Sequence, residues 1–163
     1  MILVSVRRVL LAAAAMALSA PFTAHAATDT SQLSVSATVE SGCALSGGTL
    51  NFGTYIAGQS ADLDVNGSFS YSNCGPGTLS FELDGGLQSS NGNRFMTSGQ
   101  EQLQYEIYRN AVRSAVWGQG ADDQDIQLFA TQNGTVDVYG RIPGGQSVSA
   151  GTYTDTVTIT LTF

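Results

Sequence analysis

The chain has 163 residues with thirteen acids against six arginines, no lysine and one histidine, for a formal charge of −7. That balance offers no clustered cations to hold nucleic acid or anionic lipid, and the lack of lysine excludes lysine Schiff bases and lysine–asparagine cross-links. The lone histidine, His25, falls in the leading segment, so the rest of the chain has no imidazole for a metal site or for Ser-His-Asp and Cys-His chemistry.

Residues 1–26 read as a secretory signal peptide. Arg7 and Arg8 form the positive region, residues 9–18 the apolar run, and Ala24-His25-Ala26 the small-x-small cleavage site. The apolar run falls short of the ~20 residues of a membrane span. Removal of these 26 of the 163 residues leaves 137, the size of one domain.

Residues 27–32 are short and polar. In residues 33–39, Leu33, Val35, Ala37 and Val39 alternate with Ser34, Ser36 and Thr38, the pattern of an extended strand with one apolar face. Periodicity leaves open whether the cover for that face lies in the same molecule or in the next. Cys43 and Cys74 follow; in an exported chain an even pair predicts a disulfide. The alternative, a reactive thiol pair, ordinarily uses Cys-x-x-Cys spacing.

Gly47-Gly48 predicts a turn, and residues 49–55 a short strand bent at Gly53. Leu63, Val65, Phe69 and Tyr71 mark a strand running into Cys74, with Asn66-Gly67 as a turn or bulge. Gly75-Pro76-Gly77 turns the chain into a strand carrying Leu79, Phe81 and Leu83. Residues 84–94 read as a long loop, and Leu103, Tyr105 and Ile107 as the next strand. After a turn at Tyr108-Arg109-Asn110, residues 112–117 continue extended, and residues 118–125 form an acidic loop. Ile126, Leu128 and Ala130 make a short strand, Asn133-Gly134 a hairpin-like turn, and Val136, Val138, Gly140 and Ile142 a further strand. Past Pro143-Gly144-Gly145 comes the cleanest alternation: Tyr153, Asp155, Val157, Ile159, Leu161 and Phe163 interleave with five threonines, residues that favour strands. No segment of ten residues has a 3.6 period, so the fold class is all-β, a sandwich or barrel.

Three clusters invite chemistry. Asp62-x-Asp64-x-Asn66-Gly67 opens like a calcium loop, but the twelfth position is Asn73 where a bidentate Glu is needed, and flanking helices are missing. Asp122, Asp123 and Asp125 suit a hard cation or an acid–base pair, and equally a solvated loop. Tyr105, Tyr108, Trp117 and Tyr139 offer rings for stacking on sugars; Tyr105 shares the parity of Leu103 and Ile107 and reads as inward, whereas Tyr108 and Tyr139 have the polar parity. No cofactor motif is present.

Four motifs in order resemble one known family: Cys43 followed by Leu50-Asn51-Phe52-Gly53-Thr54-Tyr55; Asn66-Gly67-Ser68-Phe69-Ser70-Tyr71 leading to Cys74; Leu103-Gln104-Tyr105-Glu106-Ile107-Tyr108-Arg109-Asn110 followed by Trp117-Gly118; and the terminal run from Gly151 to Phe163. They are similar to the spore coat protein U domain family, which includes subunits of archaic, Csu-type chaperone–usher pili. The resemblance implies an immunoglobulin-like sandwich lacking its seventh strand. It divides the chain into a signal peptide (1–26), a donor-strand extension (27–42) and the pilin domain (43–163). Leu33, Val35, Ala37 and Val39 would be the donor residues, and Val157, Ile159, Leu161 and Phe163 would line the acceptor and chaperone-binding groove. The implied partners are identical or related subunits in a head-to-tail polymer, a periplasmic chaperone and an outer-membrane usher. The implied role is structural, at the cell surface, in adhesion and biofilm formation. The competing readings are a spore- or cell-surface coat protein, a glycan-binding tip adhesin, an enzyme (disfavoured by the missing His and Lys), and a monomer whose extension folds into its own groove.

Overall fold

A computed structural model describes residues 28–39 and 42–163; the proposed signal peptide lies outside the described residues. Two compact units divide the chain, Met1–Ala37 and Thr38–Phe163. Residues 28–37 of the first have no secondary structure, and nor do residues 38 and 39. Leu33, Val35 and Val39 are 88, 84 and 92% exposed. The strand expected over residues 33–39 is therefore not formed. Alternation supplies an apolar face, but a strand also needs a ladder partner for its N–H and C=O groups.

The second unit is built of eight antiparallel strands among the described residues: β1 (Ala44–Thr49), β2 (Leu63–Cys74), β3 (Gly77–Leu83), β4 (Arg94–Ser98), β5 (Glu101–Tyr108), β6 (Gln124–Leu128), β7 (Gln132–Ile142) and β8 (Ile159–Thr162). One 3-10 turn, Gly120–Asp122, interrupts the acidic loop. Five strands form one sheet in the order β1-β2-β7-β5-β4, and three form the other in the order β6-β3-β8. The inward rows Phe69 and Tyr71, Leu79, Phe81 and Leu83, Leu103, Tyr105 and Ile107, and Val136, Val138 and Ile142 meet between the sheets around Trp117. Every one of these rows follows the period of two that a half-buried strand requires.

Several expected boundaries are corrected. Gly47-Gly48 lies inside β1, where the register with β2 shifts between Ser46 and Thr49. The strand of residues 49–55 ends instead at Thr49, and residues 50–56 run without a ladder. Asn66-Gly67 is a regularly paired part of β2, neither turn nor bulge, and Asn133-Gly134 lies within β7, where Gly134 pairs with Tyr71 and the register shifts at Asn133. Here glycine serves close approach: the ring of Tyr71 occupies the space above Gly134. Residues 112–117 form only an isolated bridge, Tyr108 with Val116. The terminal run pairs as a strand only over Ile159–Thr162. β4 was not expected, because its inward residue at the start is an arginine.

That residue, Arg94, is 4% exposed and holds the two sheets together. Its guanidinium pairs with Glu106 of β5, and donates to the carbonyls of Asp84 at 2.6 Å and Trp117 at 2.8 Å. Trp117 in turn donates its indole N–H to the Phe81 carbonyl at 2.9 Å. A buried cation is tolerable only when every donor is matched in this way. The Cys43–Cys74 disulfide joins the start of β1 to the end of β2. Replacing Arg94 with Met should cost about 3–5 kcal/mol, since Glu106 would be left without its partner. Urea unfolding measures this, and the double change Arg94→Met with Glu106→Leu should recover part of the loss.

Candidate functional site: an open apolar groove

The sandwich is incompletely closed along one side. Two adjoining cavities, of about 430 and 510 Å³, share Leu50, Phe52, Met96 and Tyr153 as lining and so form one groove. One wall is the end of β1 and residues 50–55. The other is residues 148–157 with Ile159 of β8. Phe69, Leu83, Ile107 and Val138 of the core form the floor. Leu50, Phe52, Met96, Tyr153, Val157 and Ile159 pack on the core yet remain only partly buried. A closed sandwich would bury such side chains fully.

Local sequence explains the groove's depth. Gly140 of β7 and Gly67 of β2 leave a hollow under the first wall. A Cβ on Gly140 would lie 2.7 Å from Leu50 Cδ2 and 2.8 Å from Phe52 Cζ, and one on Gly67 would lie 2.6 Å from the Thr49 carbonyl. Leu50 and Phe52 therefore sink toward the sheet instead of filling the groove. Phe52 meets the Tyr105 ring edge-on at a centroid distance of 5.9 Å.

The second wall is pinned by two aspartates. Thr154 pairs with Thr97 of β4 in the larger sheet, whereas β8 pairs with β3 in the smaller one. The chain thus changes sheets across residues 154–159. Asp155 accepts hydrogen bonds from the Tyr105 hydroxyl at 2.6 Å and from the Leu87 and Thr156 amides at 3.0 and 2.8 Å. Burial, then the bond to Asp155, pushes the Tyr105 phenol far up, so it stays protonated and donates. Asp84 accepts from the Thr158 amide at 2.9 Å while its own amide donates to the Thr158 carbonyl at 3.1 Å. Burial raises the Asp84 carboxyl, but the hydrogen bonds from Thr158 and Gly86 outweigh it and hold the group below its ordinary 3.8.

Of the residues expected at the groove, Val157 and Ile159 line it, Leu161 packs half-buried against the core, and Phe163 is 64% exposed. The opposite wall, Leu50 and Phe52 with Met96 and Tyr105, was not anticipated as lining. The alternation of Leu50 and Phe52 was visible in the sequence, but which face of the fold they join is a tertiary fact. Cys43 and Cys74 are disulfide-bonded at the far end of β1. The other candidate clusters are engaged in ordinary contacts. Asp62 and Asp64 pair with Arg141 at 3.2 and 2.7 Å. Asp123 accepts from Ser80 at 2.5 Å. Tyr105 and Trp117 are buried, and Tyr108 and Tyr139 are half-buried with the Arg113 guanidinium over the Tyr139 ring.

Comparison with known proteins places this geometry in context. The family model for the Spore Coat Protein U domain matches residues 29–160. Protein U of Myxococcus xanthus is 35% identical over 167 aligned positions, covering 92% of this chain and 93% of that protein. Among solved structures, a chain of the CsuC–CsuE chaperone–tip adhesion subunit pre-assembly complex, from archaic chaperone–usher Csu pili of Acinetobacter baumannii, is 26% identical at a TM-score of 0.50. It aligns with 74% of this chain, which spans only 39% of that one. The P pilus rod subunit PapA matches at a TM-score of 0.52 and 14% identity over 74% of this chain and 97% of its own. A subunit of a chaperone–usher pilus solved to explain rod uncoiling matches at 0.50 and 15% over 90% and 99%. The last two likenesses establish the fold alone.

Two outcomes are expected at the groove. Gly140→Ala should destabilise by about 1–3 kcal/mol through overpacking against Leu50 and Phe52, despite the usual gain from removing a strand glycine; urea unfolding and reduced binding of an apolar fluorescent dye report it. Because the folded Asp84 carboxyl sits below its ordinary 3.8, its contribution is present above that pH and lost as pH falls through the folded value. Stability should therefore drop from about pH 5 downward, and Asp84→Asn should flatten that acid limb in urea midpoints measured across it.

Proposed function

Because the chain belongs to the Spore Coat Protein U domain family, we propose that it is a structural subunit of a chaperone–usher surface pilus, polymerised by donor-strand complementation. The observation that carries this is the open groove beside β8, an edge strand with a partner on one side only. A row of unpaired amides beside exposed apolar side chains is an aggregation hazard unless another strand covers it. Residues 33–39 have the matching form: apolar Leu33, Val35, Ala37 and Val39 on one face, exposed. Inserted into the groove of a neighbouring copy, they would complete the smaller sheet by strand addition. The larger of these side chains contribute about 1.5–3 kcal/mol each on burial, added to a strand's main-chain hydrogen bonds. The contact is head-to-tail and does not close, so it yields a fibre.

In this reading residues 27–42 are the donor extension and residues 43–163 the acceptor domain. Val157, Ile159 and Leu161 belong to the acceptor edge, and Phe163 stands at its end. A periplasmic chaperone covers the groove before assembly, and an outer-membrane usher exchanges it for the next subunit, delivering the fibre to the cell surface for adhesion and biofilm formation. The work is structural, with no catalytic step. The coat named in the matched family's description, Spore Coat Protein U domain, favours one second reading, a coat layer built by the same strand exchange.

The test uses protein made in the periplasm with its chaperone, intact and lacking residues 27–40, run on denaturing gels with and without heating. The intact chain should give a ladder that collapses on heating, and the truncated chain only chaperone-bound monomer. Free, stable monomers from both would show a domain complete in itself and overturn the proposal. Gold-labelled antibody on intact cells separates fibres from an even coat.

A further inference from the structure

We propose that Phe129 of one subunit packs on Ile56 of the next, a contact between opposite ends of the sandwich in addition to the donor strand. It rests on the polymer reading above. Strand pairings define the two ends. At the first, Cys43 is bonded to Cys74, Cys74 pairs with Gln132, and Gly77 pairs with Leu128. Phe129 follows Leu128 directly and is 89% exposed. Gly42, where the extension joins the domain, lies against Asn73, whose amide donates to the Asn133 side chain. The root of the extension and Phe129 therefore share one end.

At the second end, Leu63 begins β2 and Ile142 ends β7. Residues 56–59 are tied there to residues 145 and 146: Gly58 donates to the Gln146 carbonyl at 2.8 Å, and Gly145 to the Gln59 carbonyl at 2.6 Å. Ile56 stands in this loop, 69% exposed. Its neighbours Tyr55 and Ala57 line the groove, so Ile56 is at the groove's mouth on that end.

The tether then selects the partner. Only Glu40, Ser41 and Gly42 separate Val39 from Cys43, a reach of about 14 Å at full extension. The first end of each subunit must therefore lie close to where its own donor segment leaves the neighbour's groove. Leaving at the neighbour's first end would bring like ends together, and each further subunit would crowd the same place. Leaving at the second end propagates without limit. That arrangement carries Phe129 to the mouth marked by Ile56, and the two apolar side chains cover each other. β8 runs toward the first end, since Thr162 pairs with Ser80 and Ile159 with Leu83, so the donor lies antiparallel to it.

The test pairs Phe129→Cys with Ile56→Cys in the full chain, assembled with its chaperone, and reads non-reducing denaturing gels after heating. The double variant should keep a ladder after heating that collapses only on reduction, while each single variant falls to monomer. A normal heat-sensitive ladder with no covalent species in the double variant overturns the end-to-end contact and leaves donor-strand assembly standing. Dimers from Phe129→Cys alone place like ends together and also overturn it. No ladder from the unsubstituted chain removes the polymer reading, and this contact with it. As a second variant, Phe129→Ser should leave the ladder intact but give fibres of shorter persistence length in electron micrographs; unchanged persistence length counts against the contact.

Discussion

Three strands cannot cover five. The larger sheet presents an inner face five strands wide, and the smaller sheet lies over it with three. At about 4.8 Å between neighbouring strands, roughly two strands' width is left uncovered. Residues 50–55 and 148–157 fold over part of this deficit, with the isolated Thr154–Thr97 bridge as their pairing to the larger sheet. What remains is an open groove beside the free edge of β8. Half-buried Phe52, Met96, Tyr153, Val157 and Ile159 are consequences of the same shortage. Each keeps apolar surface in water that one added strand would remove.

The domain tolerates this opening because the sheets are fastened by means other than a closed core. Arg94 draws carbonyls from the end of β3 and from Trp117 onto β4. The disulfide secures β1, Asp84 holds the crossing segment from the loop side at Thr158, and Asp155 within that segment accepts from the Leu87 amide of the loop. The groove walls are thus set before any strand enters. A preformed slot loses little conformational entropy on filling, which favours tight association. Gly67 and Gly140 contribute by absence, since side chains there would lift Leu50 and Phe52 into the slot.

Much of this was legible in the sequence wherever a strand has partners on both sides. The alternations of Leu79, Phe81 and Leu83, of Leu103, Tyr105 and Ile107, and of Val136, Val138 and Ile142 fall inward as their period implies. β4 was illegible because its first inward residue, Arg94, is charged, and only Glu106 and distant carbonyls make it a core residue. The glycine pairs misled in the other direction: in Gly47-Gly48 and Asn133-Gly134 glycine answers to a neighbouring strand or ring, which local pattern does not contain. Two clean alternations, residues 33–39 and 153–163, ladder little among the described residues. Pattern records which face is apolar, while a ladder records what lies alongside, and for both runs the partner is missing from part of the chain's length. The family resemblance, not the pattern itself, pointed to Val157, Ile159, Leu161 and Phe163 along the groove, and of these Val157 and Ile159 border the cavity. Its facing wall needed the tertiary fold.

The placement of the disulfide follows from the same asymmetry. In the polymer proposed above, tension would arrive at each domain along the residues that precede Cys43. β1 is an edge strand whose register with β2 is interrupted between Ser46 and Thr49, and antiparallel edge pairs open one rung at a time when pulled from an end. Cys43 stands before the first of those rungs, Ala44 with Ser72. Its bond to Cys74 passes the pull to a residue with no exposed surface at the end of β2, whose other side is paired with β7 along most of its length. Peeling β1 would also remove the end of the groove wall at Gly48 and Thr49, so in the proposed polymer one covalent bond would protect both the link under strain and the slot for the next subunit.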